Sequence, residues 1–215
     1  MRHVGQYGLK SKEENISVGK RRRKRMSNDI LDIRRAPWKP IKGTTIIGIG
    51  HKARHGKDST ANHLVKNYGA VKYSFATGLY TVARALFGMT VKDAPLLQAL
   101  GTEVGRRNDD NRWIRTLYYQ LQDDNPSIAV IPDVRFPNEA QFIKDLGGYL
   151  IKVSRFNDDL SLFVAPDRLP THPSETSLDN YEDWDLRILA KTGELNKIYK
   201  EIDVFMNDLK LLGRV

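Results

Sequence analysis

From residue 45 onward the apolar positions of this chain follow two alternating rhythms. Short apolar, largely β-branched runs predict buried strands at 45–49, 71–75, 128–131, 149–153 and 186–189. Between them apolar residues recur at helical spacing, which predicts helices at 59–67, 79–87, 96–100, 112–121, 138–146 and 194–212. The helix at 138–146 is expected to begin on an Asn138 cap and to stop at Gly147-Gly148, and the last helix carries its stripe on Leu195, Ile198, Ile202, Phe205 and Leu209. Strands alternating with helices imply an α/β fold, a parallel sheet of about five strands with helices on both faces. Residues 156–183, rich in Asp, Pro and Ser, show neither rhythm and predict an irregular excursion.

Composition changes this picture mainly at one end. The chain has 215 residues and a net charge of +9. Residues 1–43 hold 13 Lys and Arg against 4 Asp and Glu, so residues 44–215 are formally neutral and the excess belongs to the tail. Within it, Lys20-Arg21-Arg22-Arg23-Lys24-Arg25 predicts a segment that is disordered by itself and attracted to polyanions, a nucleic acid among them, with a merely solvated tail as the plainer reading. Pro37-Trp38-Lys39-Pro40 resists helix and reads as an extended linker whose tryptophan is able to pin it to a domain surface. The expected division is a basic tail and linker over 1–43 and one α/β domain over 44–215. With no cysteine, the chain has no disulfide scaffold, thiol nucleophile or Cys-based zinc site, and its five histidines form no HExxH pair. No apolar run approaches the ~18–20 residues of a membrane span, and the N-terminus lacks the apolar segment of a signal peptide. A cytoplasmic location without a membrane partner is expected.

The strongest chemical signal follows the first strand, in Gly50-His51-Lys52-Ala53-Arg54-His55-Gly56-Lys57-Asp58-Ser59-Thr60. A strand ending in a tight loop, then Gly-Lys, then a hydroxyl residue opening a helix, aims backbone N–H groups and the positive end of the helix at an anion. Arg54, His55, Gly56, Lys57, Asp58, Ser59 and Thr60 are therefore candidate phosphate-binding residues. The GxxxxGK[ST] pattern calls for Gly at 51 and a hydroxyl at 58, where this chain has His51 and Asp58. Gly50 is expected to supply the turn one residue early, and Asp58, Ser59 or Thr60 to take the metal-side role. The alternative is a lysine-bearing turn without a ligand.

The run from Arg54 to Ala61 resembles the GKD-type phosphate loop of bacteriophage deoxynucleoside monophosphate kinases, and four further segments match that family in order. They are Tyr73-Ser74-Phe75-Ala76; Leu97-Gln98-Ala99-Leu100-Gly101-Thr102-Glu103 with Arg106 and Trp113; Ile131-Pro132-Asp133-Val134-Arg135; and Thr171-His172-Pro173-Ser174-Glu175 followed by Asp185. The resemblance spans roughly residues 45–205 and implies a P-loop kinase-like sheet that moves the γ-phosphoryl group of ATP to a deoxynucleoside monophosphate with Mg²⁺. It implies catalytic roles for Lys57, Asp133 and Arg135, and metal contacts from Asp58, Ser59 or Asp133. It further implies acceptor contacts from Phe75, Glu103, Arg106, Trp113, His172, Ser174 and Glu175, with Arg155 as a lid arginine or adenine partner. Plainer readings stand beside these: Asp133 caps the next turn, Arg135 pairs with Glu139, Glu103 pairs with Arg107 one helical turn on, Trp113 is core, and His172 is a surface histidine.

Two departures bear on the acceptor. Thr77-Gly78-Leu79-Tyr80 stands where the family commonly has an Asp-Pro-Leu-Lys type sequence, and the interval between Phe87 and Leu96 is short where members often carry an insertion. An acceptor side left open, next to a cationic tail, implies an alternative: a kinase of hydroxymethyl-pyrimidine bases in phage DNA. A non-catalytic nucleotide- or DNA-binding module is the third reading.

Overall fold

The computed structural model describes residues 38–106, 109–167 and 169–215. The run Lys20 to Arg25 and Arg107 lie outside the described residues, as do the side chains of Thr102 and Glu103. In chain order the elements are β1 (Thr45–Gly50), α1 (Lys57–Tyr68), β2 (Val71–Lys72), α2 (Thr77–Phe87) and α3 (Ala94–Gln98), which runs into a π-helical turn, Ala99–Val104. Then follow α4 (Arg112–Asp124), β3 (Ile128–Val134), α5 (Pro137–Asp145), β4 (Tyr149–Phe156), α6 (Pro173–Thr176), β5 (Leu186–Lys191) and α7 (Leu195–Leu211). The five strands make one parallel sheet in the order β2-β3-β1-β4-β5. β1 is central, and the loop leaving its carboxyl end sits where connections diverge to the two sides of the sheet, the usual ligand crevice of open α/β folds.

The three central strands, β3, β1 and β4, each feed two cores because side chains alternate across the sheet. Ile46, Ile131 and Leu150 face α4 and α5, where they meet Ile114, Leu117, Leu121, Phe142 and Ile143. Ile47, Ile49, Val130, Ile151 and Val153 face α1 and α7, where they meet Ala61, Leu64, Ile198, Ile202 and Met206. A smaller cluster of Ala83, Met89, Leu97 and Leu100 holds α2 to α3 and the π turn. Gly48 is the fit point on the first face, since a Cβ there would lie 3.0–3.1 Å from Leu150, Ile143 and Val134. Trp38 stands edge-on to Phe142 and tilted against Tyr118, with ring centroids 5.2 Å apart in each pair.

All five expected strands form, with altered ends. β2 stops at Lys72 rather than residue 75: Tyr73 N–H still reaches Val130 O at 2.8 Å, but Ser74, Phe75 and Ala76 bend away to donate to Asp133. β3, β4 and β5 run two to three residues beyond their expected ends, carried by continuing ladder bonds. The Asn138 cap is not used. Phe136 is the cap and Pro137 takes the first turn, where its missing N–H costs nothing, while the Asn138 amide donates to Asp110 O at 3.0 Å. Among its described residues the 156–183 excursion contains only the Phe156–Leu162 bridge and the single turn α6. Among the described residues no helix is long and apolar enough to cross a membrane.

Phe142 is fully buried and its ring meets Trp38, Phe75 and Tyr118. Phe142→Ala is expected to cost about 3–5 kcal/mol of unfolding free energy, read by urea denaturation.

Candidate active site

The loop between β1 and α1 is shaped by two non-glycine residues with left-handed backbone, His51 (φ 91°) and Arg54 (φ 58°), and by Gly56 (φ 98°), which caps α1. Gly50 therefore does not supply the turn. It belongs to β1, and its lack of a side chain serves Trp184, whose ring would lie 2.6 Å from a Cβ there. His51 itself occupies the left-handed position that the glycine of the pattern would fill, at a strain on the order of 1–3 kcal/mol, and its carbonyl accepts from Arg135 Nη1 at 3.0 Å.

The loop side chains divide into inward and outward groups. His55 is buried: its Nε2 lies 2.9 Å from Phe163 O, and its Nδ1 accepts the Arg155 N–H at 3.2 Å, so Nε2 carries the proton. Thr60 also turns inward, donating to Gly56 O at 3.0 Å. Lys57 is buried, and its ammonium folds back on Lys52 O. Burial, and then the Arg135 charge, pull Lys57 down to about 7. Arg54 is exposed and pairs with Asp167 at 2.9 Å. Asp58 is exposed and pairs with Lys72 at 2.7 Å, while Ser59 lines the cavity over the loop.

Opposite the loop, the end of β3 carries Asp133 and Arg135. The Asp133 carboxylate accepts from Ser74 Oγ at 2.6 Å and from the Phe75 and Ala76 N–H groups at 3.2 Å. Burial pushes it up from the usual carboxylate range against those bonds. Arg135 is held at both ends, its N–H donating to Glu139 Oε2 at 2.7 Å and its Nη1 to Glu175 Oε1 at 2.9 Å. Its guanidinium thus pairs with Glu175, and the plainer reading that matched it to Glu139 applies only to its backbone. Glu139 instead receives the Arg106 guanidinium at 2.5 Å, and burial pushes its carboxyl up to about 7. Glu175 Oε2 also takes the Ala53 N–H at 2.8 Å. Both Arg106 and Glu175, read as acceptor contacts, are thus already engaged with the protein.

Two cavities meet at this strand end. One, of about 740 Å³, lies over the phosphate loop and is walled by Lys57, Ser59, Arg155 and the turn Lys191–Glu194. The other, of about 370 Å³, is walled by Phe75, Leu79, Leu97 and Trp113, with Arg106, His172 and Ser174 among its polar groups. Lys92, Asp133, Arg135 and Asp167 line both. Trp113 is mostly buried and its Nε1–H donates to Gly101 O at 3.2 Å, so it is core and cavity wall together. His172 caps α6, its Nδ1 lying 2.8 Å from Ser174 Oγ. The Arg155 guanidinium lies 3.8 Å from the Phe163 ring centre and its Nε donates to Thr192 at 2.9 Å.

Lys92, Asp167 and the β5–α7 turn escaped the sequence reading because they lie in segments without a motif. The turn carried one usable signal, Gly193 just past a strand end.

No protein-family model matches the chain. A protein of Acanthamoeba polyphaga mimivirus assigned as a deoxynucleotide monophosphate kinase is 31% identical over 189 residues, covering 73% of this chain and 93% of that protein. The chain belongs to the deoxynucleotide monophosphate kinase family. The deoxynucleoside-5'-monophosphate kinase of Escherichia phage T5 is 30% identical over 99 residues, 43% of this kinase and 37% of the phage protein. The crystal structure of a Chloroflexus aurantiacus protein assigned as a kinase aligns over 78% of the chain and 98% of that protein at 11% identity, with a TM-score of 0.45. Family membership makes the protein a phosphotransferase, in place of the non-catalytic binding module.

The kinase buries two neutral histidines. Burial pushes His51 down to about 3 and His55 down to about 4, whereas both titrate near 6.5 when unfolded. Below pH 6.5 the unfolded chain therefore binds more protons, and this contribution to stability is lost as pH falls toward 4. Glu139 acts oppositely between 4.5 and about 7, so the comparison needs a variant. His55→Gln is expected to flatten the pH slope of urea-unfolding free energy between pH 6.5 and 4, by up to about 1.4 kcal/mol per pH unit.

Proposed function

We propose that this kinase transfers the γ-phosphoryl group of ATP to a deoxynucleoside monophosphate. The observation that carries the reading is the pair of cavities, one over a phosphate loop and one with apolar walls, meeting at Asp133 and Arg135. Such an arrangement holds two nucleotides with their phosphates converging, and phosphoryl transfer needs little from the protein beyond alignment and charge neutralisation.

In this reading Lys57, Ser59 and the loop N–H groups from Arg54 to Asp58 hold the β- and γ-phosphates, with α1 pointing its N-terminus at them. Arg155 and the β5–α7 turn flank the donor nucleotide. Phe75 and Trp113 wall the acceptor base, and Arg106, His172 and Ser174 lie on its polar side. Glu175 orients Arg135, and Glu139 orients Arg106. Among the described residues no three His, Asp or Glu side chains converge as a resident metal site. Ser59 and Asp133, a hydroxyl and a carboxylate, suit Mg²⁺ that arrives with the nucleotide and keeps most of its ligands as phosphate and water. The ion would neutralise phosphate charge.

The division into a basic tail over 1–43 and a kinase domain over 44–215 belongs to the same proposal. All the excess charge lies in the tail, and this favours DNA as a second partner, bound through Lys20 to Arg25 as a salt-sensitive tether. If the acceptor is a hydroxymethylated base in DNA, that tether becomes part of the reaction.

Transfer from γ-labelled ATP with Mg²⁺ to the four deoxynucleoside monophosphates, and separately to DNA with and without hydroxymethyl-pyrimidine, tests the reading. Label on free mononucleotide is expected, and label confined to modified DNA would replace it with the DNA-base kinase. Lys57→Ala is expected to lower kcat/KM by on the order of 10²–10³. Because Lys57 titrates near 7 and bound phosphates favour its charged form, tripolyphosphate binding above pH 7 is expected to take up a proton and to weaken as pH rises. Calorimetry in two buffers of different ionisation enthalpy reads that proton.

A further inference from the structure

We propose that Lys92 is a catalytic cation that contacts the phosphoryl group as it passes between the two cavities. The inference rests on the phosphotransfer reading above and adds a residue to it. Two cations line both cavities, Arg135 and Lys92, and Arg135 is already engaged with Glu175, Ser174 O and His51 O. Of the other cations around the cavities, Lys57 is committed to Lys52 O, Arg106 to Glu139, Arg54 to Asp167, Lys72 to Asp58, and Arg155 to Thr192 and Arg54 O, while Lys191, whose ammonium has no partner among the described residues, lines only the phosphate-loop cavity. Lys92 forms no hydrogen bond or ion pair among the described residues. Its charge is available to a ligand without first breaking a protein contact.

The segment around it is built to hold a backbone while leaving a side chain free. Gly88, in the left-handed region at φ 63°, ends α2 with its N–H on Ala83 O, and Met89 plugs into the cluster of Ala83, Leu97 and Leu100. On the other side Asp93 caps α3, its carboxylate taking the Leu96 N–H at 2.9 Å, and Pro95 fixes the first turn. Lys92 thus sits between a buried anchor and a helix cap, exposed at the junction of the cavities. A moving phosphoryl group spreads negative charge over its equatorial oxygens, and an uncommitted ammonium carried there on an anchored backbone stabilises it most when the group is between its partners.

The experiment compares Lys92→Met and Lys92→Arg with the parent in the full chain, using three readouts. Thermal unfolding is expected to be unchanged, since the side chain is exposed and unpaired. Lys92→Met is expected to lower kcat by on the order of 10²-fold, and Lys92→Arg to recover most of the loss. Tripolyphosphate, an anion long enough to reach from the loop toward the junction, is expected to bind Lys92→Met about tenfold more weakly by calorimetry. Parental kcat in Lys92→Met overturns the proposal and leaves the kinase reading intact. If the parent itself transfers nothing to mononucleotide or DNA, the functional reading fails separately, and equal tripolyphosphate affinity in Lys92→Met and parent then overturns the role of Lys92 as well.

Discussion

The active site depends on the clamping of Arg135 by two buried carboxylates. Glu139 takes its backbone N–H and Glu175 takes its guanidinium, so one residue at the end of β3 is fixed to α5 on one side and to α6 on the other. Removing Glu175 would take the carboxylate from the largely buried Arg135 guanidinium, and removing Glu139 would take it from Arg106, losses that cost more than the net worth of an exposed pair. The clamp also reaches the phosphate loop, because Arg135 donates to His51 O and Glu175 accepts from Ala53 N–H. The strained backbone at His51 is held in place by the same contacts that aim the arginine.

That clamp explains why an irregular stretch as long as 157–183 serves a definite purpose. It has little secondary structure of its own, but its ends are tied into the core by Glu175 and by the His55 to Phe163 contact. Asp167, by contrast, meets Arg54 across an exposed pair, the weaker kind of contact. The excursion is therefore tied to the loop by buried contacts, while the Arg54–Asp167 pair stands at the exposed rim of the cavity.

Much of the site was legible in local sequence. A β-branched run followed by Gly-Lys and a helix predicts a tight loop at a helix N-terminus, and Gly56 and Lys57 stand there. Asp133 was singled out by the family resemblance, and it stands at the carboxyl end of an apolar strand, the ligand edge of the sheet. Other readings failed for identifiable reasons. Gly50 was given the turn, but Trp184, far along the chain, accounts for the glycine and left the left-handed turn to His51. The cap at Asn138 lost to Pro137, whose fixed φ suits the first helical turn one residue earlier. Lys92 carried no motif at all, and its importance emerges only from the two cavities that it borders.

By itself the sequence determined the alternation of strands and helices, the two-sided core, the Gly-Lys loop after the first strand and the family, since burial patterns and turn chemistry are written in neighbouring residues. The tertiary structure decided which charge meets which. Arg106 finds Glu139 33 positions away and Arg135 finds Glu175 40 positions away. No local pattern encodes such pairings, because they follow from strand order and from the path of a loop that has no periodicity of its own. The same packing decided that His55 faces inward and that two cavities share one strand end, and on those facts the proposed chemistry stands.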